Sequence, residues 1–325
     1  MSSVAGEQAP NLRYGVVNTS LKKEFGFNHR PYALTQAARK RPNLQTDPLV
    51  HHGRHFGRAV YAFANIQSLL IAGLNADEDM PPETQQERRE LRVYQRLLAM
   101  VPGLEERIVN AESEEEVMGI AAMLQQGASS ARADDTKSLK GAILDWIVPP
   151  GGAPLQPPLS RNIKVNRGFN HDRTGFLLCP AELDWSQDEI KTQLRNKGIT
   201  VGGAHWPLFV FKNEVFDPDD AWKGLFRSEL LVKGFKHIFT SPSSVDDEPR
   251  ATRSGNARIH GMTRVTPASL AYAMTQVRFA LSSASVFSRT DRETDSETFY
   301  TSILELLEDP EEQDEVKPLL NWWNQ

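Results

Sequence analysis

The sequence has almost no cysteine and no long apolar run. Cys179 is the single cysteine among 325 residues, so no disulfide can form within one chain. The start of the sequence has neither the basic nor the apolar region of a secretory signal, and we therefore expect an intracellular protein of the cytoplasm or nucleus. The apolar segments are far shorter than the about 20 residues that a membrane-spanning helix needs, so we expect no integral membrane protein.

An excess of positive charge is also missing. The 42 Asp and Glu residues outnumber the 37 Lys and Arg residues, and the net charge is -5. The molecule as a whole is therefore not expected to attract nucleic acid or anionic lipid, and contact with a polyanion requires a local basic cluster. With 39% hydrophobic and 24% charged residues, the composition is typical of a soluble globular protein.

A stretch rich in proline and glycine, VPPGGAPLQPP, divides the sequence. Proline removes backbone donors and glycine adds chain entropy, so neither a helix nor a central strand is expected there. The chain is long enough for two domains. We predict a flexible N-terminal arm at residues 1–48, a helical subdomain at 49–148, a linker at 149–160 and an α-rich subdomain at 161–325.

The predicted fold class is mainly α, with a bundle-like N-terminal half, an irregular α-rich C-terminal half and little or no strand. In the N-terminal half, apolar residues recur at helical spacing and are interrupted by turn signals. The four helices are expected near residues 56–75, 91–101, 113–127 and 134–148.

Capping signals mark the helices of the C-terminal half. Thr266 followed by Pro267 predicts the N-cap and first position of a helix that continues to Phe287. Ser186 and Glu189 have the spacing of a capping box. Further helices are expected at 225–239 and 309–323, whereas Trp206–Phe211 fits either an isolated strand or buried extended chain.

A basic loop between the two most apolar helices of the C-terminal half is the predicted anion-binding site. Arginine forks match phosphate oxygens in bidentate fashion, and Gly or Asn backbone can present N–H groups to an anion. No phosphate-binding motif of the GxxxxGK[ST] type is present. The candidate residues are Arg250, Arg253, Ser254, Gly255, Asn256, Arg258 and Arg264, with Lys236 and His237 on the preceding helix.

The same loop also fits an ordinary solvated surface. Asp246, Asp247 and Glu248 precede the arginines and can pair with them. In that interpretation the charges neutralise one another and bind nothing else. The sequence leaves both interpretations open.

Two histidines and the cysteine are weaker candidates. His51 and His55 are four residues apart, a spacing that places both rings on one helical face and permits a shared metal. No HExxH motif, cysteine pair or carboxylate at ligand spacing accompanies them, which favours surface histidines. Cys179 is interpreted as a buried small residue before a turn. We therefore predict no catalytic residue, no metal and no cofactor.

The C-terminal region carries many acidic residues between Asp291 and Glu315. Most of this region is expected to be solvated surface. The acidic face of one copy and the basic loop of another are complementary in charge, so self-association is a second partner hypothesis. Trp322 and Trp323 cover the core or anchor a partner, and we favour the core.

Several long blocks stand out in the sequence. They are GLFRSELLVKGFKHIFTSPSS, RSGNARIHGM, VTPASLAYAMTQVRFALSS, the closing FY…LLEDPEE…LLNWWN and, from Arg167 to Trp185, RGFNHDRTGFLLCPAELDW. Together these blocks resemble a large family of uncharacterised proteins from mushroom-forming fungi. The resemblance covers residues 160–325 well and the N-terminal half loosely. The family is a domain of unknown function, so it implies a fungal intracellular protein and transfers no catalytic residue.

The expected function is that of a non-enzymatic binding or scaffold protein that contacts nucleic acid or another polyanion at the basic loop. The alternative is a divergent enzyme acting on a phosphorylated or nucleic-acid substrate, with His237, His260 and the arginines in electrostatic roles. A deep pocket that joins the two histidines to an acidic residue would favour the enzyme.

Overall fold

A computed structural model describes residues 47–75, 82–148, 152, 154–242, 245, 255–287 and 295–325. Helices dominate this part of the chain, and it contains no β-strand, only the isolated bridges Pro180–Pro207 and Phe211–Leu225. The predicted mainly α class is therefore confirmed. Outside the described residues lie almost all of the predicted N-terminal arm and, in the basic loop, Arg250, Arg253 and Ser254.

The helices are short, with one exception of 33 residues. Three 3-10 turns (Gly168–Asn170, Leu208–Val210 and Lys212–Glu214) and a π-helical turn (Lys236–Thr240) connect some of them. The α-helices of the described residues are α1 (Pro48–Ala59), α2 (Ile66–Asn75), α3 (Gln85–Met100), α4 (Leu104–Val109), α5 (Glu114–Trp146), α6 (Asp172–Leu178), α7 (Asp188–Arg195), α8 (Glu229–Phe235), α9 (Asn256–Ile259), α10 (Pro267–Leu281), α11 (Ser296–Glu308) and α12 (Gln313–Trp323).

The smaller of two compact units includes Gln67–Ala121. Its helix α3 begins at a capping box, in which Thr84 Oγ1 accepts from the Glu87 N–H at 3.1 Å and the Glu87 carboxylate accepts from the Thr84 N–H at 3.1 Å. The helix ends before Pro102-Gly103, as predicted. Gly73 of α2 lies against the ring of Tyr94, where an added Cβ would be 2.4 Å from the nearest ring carbon.

The larger unit includes Asn43–Ile66 and Ala122–Gln325, and α10 is the centre of its core. Every residue of α10 after Pro267 is buried, because α1, α8 and α11 pack around it. The predicted N-cap is confirmed: Thr266 Oγ1 accepts from the Ser269 N–H at 3.2 Å. The helix ends at Leu281, six residues before the predicted Phe287.

The longest helix, α5, replaces two helices that the sequence predicted to be separated at Gly127. Gly127 lies inside the helix, where the absence of a side chain allows α1 to approach. A Cβ at Gly127 would lie 2.1 Å from the Val50 carbonyl oxygen, and one at Gly53 would lie 2.1 Å from the Leu124 carbonyl oxygen. The two glycines therefore remove side chains where the backbones of α1 and α5 touch.

The first predicted helix, at 56–75, is in fact two helices. The chain leaves the helical conformation after Ala59 and resumes it at Ile66. Between them Phe63 is buried against the ring of Tyr300, with ring centroids 5.3 Å apart, and the Ala62 N–H donates to the Tyr300 hydroxyl at 3.2 Å. Tertiary contacts thus override a helical spacing that continues across the break.

Two further predictions in the C-terminal half need correction. The capping box at Ser186 and Glu189 does not form, because the Ser186 N–H donates instead to Asp184 Oδ1 at 2.9 Å and α7 begins at Asp188. The helix predicted at 225–239 begins later, at Glu229, where Ser228 Oγ accepts from the Leu231 N–H at 3.2 Å. It then continues as the π-helical turn.

The segment Trp206–Phe211 is neither a regular strand nor fully extended. It holds the 3-10 turn Leu208–Val210 between the bridging residues Pro207 and Phe211, and these residues are buried. None of the described helices is both long and apolar enough to span a bilayer.

Candidate functional site

The described end of the basic loop packs on the π-helical turn. A Cβ at Gly255 would lie 1.5 Å from the Thr240 carbonyl oxygen, so only glycine fits there. The adjacent Asn256 side chain donates through Nδ2 to the Ile238 carbonyl oxygen. The sequence predicted these two residues as anion contacts, and the structure places them in contacts that position the loop.

Three predicted cations, Lys236, Arg258 and Arg264, are exposed to solvent. No described residue forms an ion pair with any of the three. Just after Arg264, the Val265 N–H donates to Asn324 Oδ1 at 2.8 Å and the Thr266 hydroxyl donates to the Ala59 carbonyl oxygen at 3.2 Å. Arg258 and Arg264 thus lie on the described segment 255–266, which is held at both ends, and Lys236 belongs to the π-helical turn on which this segment packs.

The alternative interpretation of the loop rests on acidic partners that the structure does not describe. Asp246, Asp247 and Glu248 are outside the described residues, as are the predicted arginines Arg250 and Arg253. Both interpretations of that part of the loop remain predictions.

His237 follows Lys236 but faces the interior. Its side chain is buried, Nε2 lies 2.9 Å from Ser138 Oγ, and the ring meets Trp146 edge-on with centroids 5.3 Å apart. Burial lowers the pKa of His237, and the nearby Asp135 carboxylate opposes this only in part. The imidazole is therefore neutral near pH 7 and does not add charge to the exposed surface.

A buried ion pair between α1 and α5 was not predicted from the sequence. The Arg58 guanidinium donates to both carboxylate oxygens of Asp135, from Nε at 2.7 Å and from Nη2 at 2.8 Å. The Tyr272 hydroxyl donates to the same carboxylate at 2.6 Å. Burial and the adjacent carboxylate raise the pKa of Tyr272, so it remains a donor. This network joins α1, α5 and α10, and its partners are too far apart in sequence for spacing to reveal them.

His51 and His55, the predicted pair on α1, are joined by a third histidine from the basic loop. The ring of His260 stacks on both, with centroid distances of 4.2 Å to His51 and 4.5 Å to His55. Burial, together with the nearby Arg58 and the other histidines, lowers the pKa of His55 to about 4 and that of His260 to about 3. Among the described residues, no three His, Cys, Asp or Glu side chains are arranged to hold a metal ion.

The two histidines of the enzyme hypothesis have separate surroundings. His237 contacts Ser138 and Trp146, whereas His260 contacts His51 and His55. The stacked rings attach the loop to α1, and the buried ring belongs to the core.

The remaining candidates are structural. Cys179 is fully buried, and burial raises the pKa of its thiol to about 11, so it is protonated at neutral pH. Trp323 donates through Nε1 to the Phe226 carbonyl oxygen at 3.0 Å, and its ring packs at a tilt against that of Phe235, with centroids 5.3 Å apart. Trp322 is 38% exposed. The core interpretation thus holds for Trp323.

These features define an α-helical protein with an exposed cationic loop and a buried polar network that joins its central helices. The family of unknown function DUF6698 matches residues 126–325, more than half of the chain, and the chain belongs to this family. Comparison with curated proteins and with solved structures finds no match.

Proposed function

We propose that the chain is a non-enzymatic binding protein whose basic loop contacts the phosphate backbone of nucleic acid. One observation carries the proposal: Lys236, Arg258 and Arg264 are exposed and have no ion-pair partner among the described residues. Exposed guanidinium and ammonium groups of this kind are the usual donors to phosphate oxygens. Arg250 and Arg253 belong to the same loop by sequence and add to its charge.

The attachment of the loop supports this function. Gly255 and Asn256 contact the π-helical turn, and His260 is stacked between two residues of α1. A segment that is already ordered loses less entropy when it binds. Because the net charge of the chain is -5, recognition of a polyanion depends on this local cluster and not on the field of the whole molecule.

The test is fluorescence anisotropy with labelled single-stranded DNA, duplex DNA and RNA, each at about 50 and about 200 mM salt. The purified full chain is compared with a variant carrying Lys236→Gln, Arg258→Gln and Arg264→Gln. We expect the unchanged chain to bind with an affinity that falls steeply with salt. The variant should bind more weakly, and its log–log salt slope should be smaller by about two to three.

A second variant supplies the matched control. Lys137→Gln, Lys212→Gln and Lys317→Gln remove the same charge from exposed positions of the larger unit outside the loop. This control should bind as the unchanged chain does. Equal losses in the two variants would show only a dependence on net charge, and no binding at low salt by the unchanged chain would end the nucleic-acid proposal.

We also propose, from the sequence, a fungal source, an intracellular location and self-association. The similarity to proteins of mushroom-forming fungi supports a fungal source, and the single Cys179 supports an intracellular location, in the cytoplasm or nucleus. Charge complementarity supports self-association between the acidic C-terminal region and the basic loop. Light scattering on the loop variant tests this, because loss of a salt-sensitive dimer would assign the loop to contacts between copies.

A further inference from the structure

A cleft with a volume of about 350 Å³ lies in the larger unit, and none of its lining residues belongs to the basic loop. Its walls are the 3-10 turn Gly168–Asn170, the end of α7 with the residues after it, and the residues that follow α10. This volume is within the range of small-molecule sites in proteins.

The lining combines apolar and cationic groups. Phe169, Leu178, Leu194 and Ile199 are among its apolar side chains. Arg195, Lys197 and Arg278 provide the charged groups, none of the lining residues is acidic, and Ser282 and Ser283 add hydroxyls. A cleft with this composition favours a ligand that has both an apolar body and a negative charge.

Two buried basic side chains fix one wall of the cleft. Lys164 Nζ donates to the carbonyl oxygens of Phe279 and Ala284, at 2.5 and 2.7 Å, and Arg167 Nη1 donates to that of Ala280 at 2.8 Å. These bonds satisfy carbonyls at the C-terminal end of α10, where positive groups are favourable. The contacts of Lys164 with Ser282 and Ala284 also hold the segment Ser282–Ala284 in place.

The opposite wall approaches this segment closely at Gly168. Its φ is 66°, a left-handed conformation that favours glycine, and an added Cβ would lie 3.1 Å from the Ser283 nitrogen. The Gly168 carbonyl oxygen accepts from the Thr174 hydroxyl at 2.7 Å. The 3-10 turn is thus anchored to α6, so the cleft is formed before any ligand enters.

Arg195 is positioned at the cleft by one hydrogen bond. Its Nε donates to the Phe169 carbonyl oxygen at 3.2 Å, which uses one of the five donors of the guanidinium. The Nη groups, which supply the other four, match the oxygens of a carboxylate, sulfonate or phosphate.

We propose that this cleft binds a small organic anion with an apolar body, with Arg195 and Lys197 at the charged group and the apolar side chains around Leu178 and Leu194 at the body. This site is separate from the basic loop, and its ligand is a small molecule, not a polymer. Lys197 is an exposed lining residue that directly follows α7 and its cap, and its positive charge attracts the anion at long range.

The test uses two fluorescent probes with the same apolar body. Anilinonaphthalene sulfonate carries a negative charge, and N-phenylnaphthylamine does not. We expect the full chain to bind both, and to bind the sulfonate more tightly. Arg195→Gln should weaken sulfonate binding about fivefold, the size of one partly solvated ionic contact, and leave binding of the uncharged probe unchanged.

Two more variants make the test specific to the cleft. Val201→Trp places a large ring in the lining and should reduce binding of both probes, whereas Arg258→Gln removes the same charge as Arg195→Gln at the basic loop and should affect neither. All variants are compared at equal helicity by circular dichroism. Full sulfonate affinity in either Arg195→Gln or Val201→Trp would overturn the proposal, as would a failure of the unchanged chain to bind.

The outcomes separate this proposal from the proposed nucleic-acid function. Loss of probe binding in Arg195→Gln with normal nucleic-acid binding supports the cleft alone. Loss of nucleic-acid binding in the loop variant, with normal probe binding, concerns the loop alone.

Discussion

At Asp135, three helices meet through hydrogen bonds to a single carboxylate. Arg58 is 3% exposed and Asp135 is 6% exposed, so water cannot compensate either charge when the other is removed. Asp135→Asn keeps the size of the side chain but leaves the guanidinium without its counter-ion. We expect the free energy of unfolding to fall by about 3–5 kcal/mol, measured by urea denaturation.

A second Arg–Asp pair, whose aspartate is also on α5, provides the control. Arg161 and Asp145 are joined at 2.5 Å, but their side chains are 59% and 56% exposed. Solvent screens this pair, so Asp145→Asn should unfold at the same urea concentration as the unchanged chain within error. Similar losses in the two variants would mean that burial does not determine the contribution of these pairs.

At this scale the sequence could predict only what does not depend on distant partners. Lys236, Arg258 and Arg264 are exposed, as charged side chains usually are, and their contact with an anion stays a prediction. His237 was grouped with Lys236 because they are adjacent, yet neighbouring positions on a helix face different directions. The contact of His260 with His51 and His55 joins residues about two hundred positions apart, and no local pattern contains that information.

At the scale of elements, the contact between α1 and α5 depends on the absence of side chains. A Cβ at Gly127 would overlap the Val50 carbonyl oxygen at 2.1 Å. Gly127→Ala must therefore separate the two helices despite the higher helix propensity of alanine. We expect a loss of about 2 kcal/mol or more in the free energy of unfolding, measured in urea.

Gly141, on the same helix and in the same unit, is the matched control. The nearest atom to its added Cβ is the Arg161 side chain, at 3.9 Å. With space available, Gly141→Ala should stabilise the chain by about 0.5–1 kcal/mol through helix propensity alone. A gain in stability at both glycines would show that α1 and α5 do not touch as closely as described.

The stacked histidines between α1 and α9 make stability depend on pH. The folded state lowers the pKa of His55 from 6.5 to about 4 and that of His260 from 6.5 to about 3. Below pH 6.5 the unfolded chain therefore binds protons that the folded chain does not, so acidification favours unfolding. These pKa values are also lowered by the nearby Arg58, His51 and His52, which therefore act in the same direction as burial.

We expect the free energy of unfolding to decrease as the pH falls from about 6.5 to about 4. In a variant with His55→Gln and His260→Gln, the slope of this decrease should be smaller, whatever the stability at pH 7. His205→Gln, an exposed histidine outside the stack, should keep the slope of the unchanged chain. An unaltered slope in the double variant would remove the stack from the acid response.

Periodicity located most helices but not their limits. The cap at Thr266 was predicted, whereas the cap at Ser228 was not, and Gly127 was taken as a helix end although the helix continues through it. The reverse occurred at Val60–Asn65, where the apolar spacing continues but the helix stops. In each case a tertiary contact, with α1 or with Tyr300, decides between two locally acceptable conformations.

At the scale of the whole molecule, the core extends beyond the residues that match the family. The match begins at residue 126, but Asn43–Ile66 belongs to the same compact unit. From that segment, Phe56 and Phe63 are buried, Arg58 pairs with Asp135, and the Ala59 carbonyl oxygen accepts from the Thr266 hydroxyl. The segment therefore completes a core that the matching residues contain only in part.

A fragment experiment tests this dependence directly. Residues 122–325 alone lack Arg58, the ion-pair partner of the buried Asp135 carboxylate, and helix α1, which packs on α10. We therefore expect this fragment to have a lower midpoint of thermal unfolding than the full chain. Because a ligand that binds only the folded state raises that midpoint, adding a peptide of residues 43–66 should restore several degrees. The same peptide with Arg58→Gln should restore less, since Asp135 remains unpaired. A fragment that unfolds at the temperature of the full chain, with no response to either peptide, would show that α1 is dispensable to the core.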